Sequence, residues 1–109
     1  MRNRDLGEAD FSMVILSGPD LNGADLSAAS FLRSEIDKTD LQVASLSQAF
    51  LASAFLSYAN LRHTNLKGAI LGGADFTDSH LSHADLTDAL APHNFTSTIM
   101  KGATFRKSF

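Results

Sequence analysis

With 109 residues the chain has room for one domain. It holds no cysteine, which excludes a disulfide framework, a zinc-thiolate site and a thiol nucleophile. Nine bases against twelve acids, a net charge of −3, argue against a broad basic face for nucleic acid.

No stretch approaches the roughly 20 apolar residues of a membrane span. Met1–Asp5 leaves no space for the apolar run of a signal peptide, so a cytoplasmic protein is expected. From Leu6 onward, every fifth residue is Leu, Phe or Ile through Leu86, seventeen positions without an exception. Two residues before each centre from Phe11 onward stands a small side chain, Ala in most cases and Ser34, Thr39, Thr64 or Ser79 in others; only Val14 and Pro19 depart. On an α-helix a five-residue step turns a side chain by about 140°, so the centres would smear around the cylinder. On a flat strand an odd spacing would send them to alternate faces. Positions two apart on an extended segment do face the same way, so each small residue and its centre point inward together. The residue between them points out, and it is Asp10, Asp20, Asp25, Asp40, Asn60, Asn65, Asp75 or Asp85 in eight of the repeats. The two residues that follow, such as Asn22-Gly23, Lys67-Gly68 and Gly72-Gly73, must turn the chain. A turn after every five residues gives a polygonal coil, and an unbroken repeat gives stacked coils around a narrow column. A second Leu in place of each Ala would overpack that column, so burial of both slots is expected throughout residues 9–86.

Ala24-Asp25-Leu26-Ser27-Ala28, Ala59-Asn60-Leu61-Arg62-His63, Ala74-Asp75-Phe76-Thr77-Asp78 and Ala84-Asp85-Leu86-Thr87-Asp88 reproduce the motif A(D/N)LXX. The chain therefore resembles the pentapeptide-repeat family over roughly residues 4–91. The resemblance implies an all-β fold, a right-handed quadrilateral β-helix. Four edges per coil mean twenty residues per coil, about five coils, and a rod of about 25 Å at the strand spacing. Little helix is expected, with any helix confined to the ends.

After Leu86 the register falters. Ala91 takes a centre position, Pro92 and His93 follow, and large residues recur at Phe95, Met100 and Phe105, one residue out of phase. We read residues 1–91 as the β-helix and 92–109 as a register-shifted degenerate coil or C-terminal cap of the same domain. Phe95, Phe105 and Phe109 would close that end or meet a partner, whereas Arg2, Asn3 and Arg4 offer the other end no comparable lid.

Stacking at twenty residues lets outward columns be listed from the sequence. Phe50, Ile70 and Leu90 fall in one column on consecutive coils, with Phe55 on the next face and Tyr58 in the following corner. An apolar run of this kind marks an interface, with another protein or with a second copy of the chain. Charge is uneven: residues 1–40 carry eight acids and four bases, residues 41–74 only Arg62 and Lys67, and the tail Lys101, Arg106 and Lys107. His63 and His83 share a corner one coil apart, near His80 and Asp78, but two imidazoles lack a third firm ligand, so no metal or cofactor is expected. No serine or threonine belongs to a recognisable nucleophile motif, the glycines fall in turn slots, and a convex rod offers no deep pocket, so no enzymatic activity is expected.

The reading is a non-catalytic protein–protein interaction or scaffolding module. The alternative comes from the resemblance: some pentapeptide-repeat proteins protect DNA gyrase from quinolones or toxins by presenting an acidic rod shaped like duplex DNA. Here the acidic columns are interrupted at Ser45, Asn60 and Asn65 and the tail is basic. Direct nucleic-acid or membrane binding is not expected.

Overall fold

The computed structural model describes residues 2–16 and 18–90, and the backbone of 93–94. Its backbone is a succession of single parallel bridges, each joining an outward residue to the one twenty positions later, from Asp5↔Asp25 to Ile70↔Leu90. Four such residues per coil define four faces. The first carries Asp5, Asp25, Ser45, Asn65 and Asp85; the second Asp10, Ser30, Phe50, Ile70 and Leu90. The third carries Ile15, Glu35, Phe55 and Asp75; the fourth Asp20, Asp40, Asn60 and His80. The architecture is the right-handed quadrilateral β-helix.

One pentapeptide shows why the sequence folds this way. Asp25 N–H donates to Arg4 O on the coil before (2.8 Å), while Leu26 and Ala28 N–H donate to Ser45 O (2.7 Å) and Ser47 O (2.8 Å) on the coil after. Ala29 N–H closes the turn onto Leu26 O at 3.0 Å. The remaining amide, Ser27 N–H, donates to Asp25 Oδ1 at 3.0 Å. Every backbone donor of the repeat is thereby paired, as burial between coils requires.

The turn demands a left-handed residue at its second position. All eighteen described residues in that slot, Asn3 through Asp88, have φ between +56° and +78°, and only four of them are glycine. Glycine, Asn and Asp suit this conformation, whereas Val43 at +62° is β-branched and strained there.

The core runs as a column from Leu21 to Leu86, with each centre and each small residue in that interval sealed from solvent. Polar occupants of the small slot are satisfied internally. Ser34 and Ser79 hydroxyls donate to the carbonyls of Phe31 (2.7 Å) and Phe76 (2.6 Å), Thr39 donates to Ile36 O, and Thr64 reaches back a coil to Leu41 O at 2.9 Å. The expected burial from residue 9 does not hold in the first coil. Leu6, Phe11 and Leu16 are only half-buried, as are Ala9, Val14 and Pro19. A coil is sealed by the coil on each side of it, and among the described residues the first coil has one neighbour. Phe11 is covered on that side alone, its ring stacked on Phe31 at 5.0 Å and 11°.

Two short strands complete the described backbone, β1 (Ala74–Asp75) and β2 (His93–Asn94), paired in parallel. Ala74 faces His93 and Asp75 faces Asn94, an offset of nineteen instead of twenty. Ile70↔Leu90 still keeps twenty. The missing residue therefore falls between Leu90 and His93, where the sequence has Ala91 and Pro92 in place of the usual three positions. The roles expected for Phe95, Phe105 and Phe109 lie outside the described residues.

Candidate interaction surface

Eight large apolar side chains are exposed among the described residues, and six of them sit together. Phe50 (44% exposed) and Leu90 (57%) stand on the second face, Phe55 (46%) and Ile15 on the third, and Met13 and Leu32 on the corner those faces share. Ile70, bracketed by Phe50 and Leu90 in the ladder, is half-buried. The same corner narrows towards later coils through Ala52-Ser53 to Gly72-Gly73, and a methyl group at Gly72 would meet open space. Large apolar groups thus gather on the flanks and small ones on the later ridge, interrupted by Arg33 on the corner and by Glu35 and Asp75 on the third face. Sequence reasoning picked out Phe50, Phe55, Ile70 and Leu90 but missed Met13, Ile15 and Leu32. The signal existed: twenty-residue spacing puts Met13 and Leu32 in the corner later occupied by Ala52-Ser53. It was hidden because two of the three lie in turn slots, which the repeat leaves free.

The acidic columns are organised differently. In the repeats that carry Asp or Asn outward, a side-chain oxygen is turned back onto the first turn amide: Asp10 onto Ser12 (2.9 Å), Asp20 onto Asn22 (3.0 Å), Asn65 onto Lys67 (3.0 Å), Asp75 onto Thr77 (2.9 Å) and Asp85 onto Thr87 (3.0 Å). Hydrogen bonds from the Ser12, Ser27 and Thr87 hydroxyls, and then from their amides, hold Asp10, Asp25 and Asp85 below the usual carboxylate range. For Asp20 the Asn22 amide is the main cause and Arg2 adds to it. Phe55 breaks the pattern, since it has no oxygen to offer its turn. Ser57 N–H instead donates to Asp37 Oδ1 at 3.0 Å, twenty residues back on the preceding coil. Two ion pairs, Arg2–Asp20 (3.0 Å) and Lys67–Asp85 (3.6 Å), offset part of the negative charge on the fourth and first faces.

Three of the four histidines, His63, His80 and His83, lie at or beside the corner between the fourth and first faces. His63 and His83 are stacked with ring centroids 4.9 Å apart and planes within 9°. Among the described residues no three His, Asp or Glu side chains are grouped to hold a metal. Beside the stack, Arg62 Nε donates to His80 Nε2 at 3.2 Å, and Ser82 Oγ lies 2.6 Å from the same nitrogen. Because the guanidinium can only donate, Nε2 must accept and the His80 proton belongs on Nδ1. Burial, and then the Arg62 charge, keep His80 below the ordinary imidazole value.

A family model for pentapeptide repeats matches eight copies along the chain, over residues 2–31, 34–73 and 54–90. The chain is a member of the pentapeptide-repeat family. Among solved structures it is similar to the pentapeptide repeat protein Rfr23 from the cyanobacterium Cyanothece 51142, at 24% identity and TM-score 0.84, covering 94% of this chain and 84% of that one. It is similar also to alr5209, a pentapeptide repeat protein from Nostoc Pcc 7120, at 26% identity and TM-score 0.79, covering 94% and 85%. QnrB1, a plasmid-mediated fluoroquinolone resistance protein, shares the fold at 16% identity and TM-score 0.51, with 94% and 80% covered. No curated protein matches the chain in sequence.

This pentapeptide-repeat chain encloses no pocket among its described residues. Among those residues no helix is long and apolar enough to cross a membrane. Six of the eight exposed large apolar side chains among the described residues lie along one edge, and Val43 and Tyr58 stand on other corners.

Proposed function

We propose that the protein is a non-catalytic interaction module that docks a protein partner along the edge between its second and third faces. The gathering of six of the eight exposed large apolar side chains on that edge carries this reading. Such surface is unfavourable in water and is found where another surface covers it. The family context agrees, since pentapeptide-repeat proteins are generally structural or interaction modules.

The alternative, a gyrase-directed DNA mimic, draws on the fold shared with QnrB1 and on the acidic first and fourth faces. It is weakened by the Asn and Ser rungs at Asn60, Asn65 and Ser45, and by the two ion pairs. Affinity capture with the unaltered chain and with a Phe50→Ser, Ile70→Ser variant separates the two readings. Loss of a specific bound protein with the variant supports the apolar edge. A partner retained by the variant but lost when Asp25 and Asp85 are replaced by Asn overturns it. Protection of purified gyrase, sensitive to the same acidic replacements, establishes the alternative.

A further inference from the structure

Along the apolar edge the corner is graded in size. Its rungs stack in register, Met13 N–H donating to Leu32 O (2.9 Å), Arg33 N–H to Ala52 O (3.0 Å) and Ser53 N–H to Gly72 O (2.8 Å). The first two rungs present Met13 and Leu32-Arg33, all exposed, and the next two present Ala52-Ser53 and Gly72-Gly73. Successive rungs thus read large, large, small, small. Resting on the docking role proposed above, we infer that the partner of this edge is a second copy of the chain. It binds antiparallel, about a two-fold axis between the Leu32-Arg33 rung and the Ala52-Ser53 rung.

Symmetry decides the register. Two rods side by side and antiparallel keep second face beside second face and third beside third, while the order of rungs is reversed. With the axis between the second and third rungs, Met13 falls on Gly72-Gly73 of the second copy, and Leu32-Arg33 on its Ala52-Ser53. Each large rung meets a small one, and the match is made twice. The hollow is open at Gly72, where an added Cβ has no neighbour within 4 Å. A parallel pair would instead set Met13 against Met13 and Arg33 against Arg33, with the glycine rungs facing each other across a gap. An antiparallel pair centred on the second rung also opposes Arg33 to itself, a like-charge contact that disfavours it.

Charge agrees with shape. Arg33 is the one base among these rungs, and Glu35 and Asp75 are the acids of the third face. In the proposed register Arg33 is offset by a single rung, about 4.8 Å along the rod, from Glu35 of the second copy on one side and from its Asp75 on the other. The charges that interrupt the apolar edge thereby complement one another across the dimer. Asp10, at the outer end of the pairing, keeps the Ser12 amide at 2.9 Å. Four rungs span only about 15 Å, so the contact is at the small end of specific interfaces and the dimer forms in the micromolar range. Leu90 lies one rung outside the pairing.

Sedimentation equilibrium of the full chain, from micromolar to near-millimolar concentration, should show a monomer–dimer equilibrium that Leu90→Ser leaves unchanged. Gly72→Leu fills the hollow and should weaken the dimer by about tenfold or more while the melting transition is kept. Adding Met13→Gly exchanges the large and small rungs and should restore it. Arg33→Glu and Glu35→Lys test the same register without touching a turn glycine; the left-handed slot of Arg33 accepts glutamate, as Glu8 at φ +60° shows. Each of these two chains alone should associate weakly, and an equimolar mixture should form the heterodimer, because every base then meets a carboxylate. A strict monomer throughout the series would overturn the proposal. So would a dimer indifferent to Gly72→Leu, a loss that Met13→Gly does not relieve, or two charge variants that fail to pair. The docking role is judged separately. A monomer that still loses a captured protein on Phe50→Ser, Ile70→Ser refutes the second copy and leaves that role standing, whereas a chain that neither dimerises nor captures a protein through the edge refutes both.

Discussion

Arg62 Nε and His80 Nε2 lie 3.2 Å apart, eighteen residues separated in sequence and on adjacent coils, in a contact that only a neutral imidazole can make. Ser82 Oγ, 2.6 Å from the same nitrogen, adds a second donor. Protonating His80 would set an N–H against the Arg62 N–H, which cannot accept.

The pH dependence of this contact has a definite sign. The folded-state value of His80 is lowered, so folded and unfolded chains are both neutral there above the ordinary imidazole value, and the stability it supports is then complete. As pH falls below that value the unfolded chain takes up the proton first. Stability is lost down to the lower folded-state value. An NMR titration should find His80 below the ordinary value, and Arg62→Ala should move it upward. An unchanged titration in that variant would show that Arg62 plays no part.

The outward Asp or Asn closes the first turn amide, which makes its worth measurable at an uncharged position. Asn65→Ala leaves the Lys67 amide without its 3.0 Å acceptor and should lower stability by about 1 kcal/mol. Asn65→Asp keeps the acceptor and should be close to neutral. Equal losses in both variants, by urea denaturation, would mean that the hydrogen bond is not what the position supplies.

Asp37 stands in for the oxygen that Phe55 lacks. Asp37→Ala should therefore destabilise the chain by about 1 kcal/mol, through Ser57 N–H. In a Phe55→Asn background the turn regains its own acceptor and the same change should have much less effect. A double-mutant cycle reads the difference, and a coupling of zero would refute the substitution of one acceptor for the other.

Leu46 and Ala44 share the inward side of one edge, and both are sealed from solvent. Leu46→Ala should cost about 2–5 kcal/mol by opening a cavity. Ala44→Leu should also destabilise, by about 1–3 kcal/mol, because the column has no room for a second large side chain. Unreduced stability in the Ala44→Leu variant, measured by urea denaturation, would contradict the narrow core.

Val43 occupies the left-handed turn slot at φ +62° with a branched side chain exposed to solvent. Val43→Asn should raise stability by about 1 kcal/mol through relief of that conformation. A drop in the melting temperature would mean that the valine side chain makes a contact worth more than the strain.

Most of the fold was legible in the sequence, for a reason that Leu46 and Ala44 illustrate. A strict period fixes which way each side chain points before any packing is known. The nineteen-residue pairing of β1 with β2 was legible too, from the phase of Phe95, Met100 and Phe105 against Leu86. The half-open first coil was not, because Leu6 and Phe11 read the same as Leu46, and periodicity carries no information about how many neighbours a coil has. The surface was less legible than the core. His63 and His83 could be placed in one corner by counting twenty, but the anchoring of Arg62 by His80 depends on side-chain conformations that no spacing specifies. Met13 and Leu32 were overlooked because turn slots accept almost any residue, so an apolar one there breaks no rule.

The constant twenty-residue offset between bridged positions also shapes how such a chain assembles. Each new coil closes a loop of the same length as the last, so the entropic penalty per coil does not grow as the stack lengthens. Folding can spread from any coil as a zipper, with neither end privileged as a starting point. Removing or duplicating one whole coil leaves every remaining partner correctly opposed, whereas a change of a single residue shifts everything beyond it. Length is thus the dimension in which this architecture varies most freely.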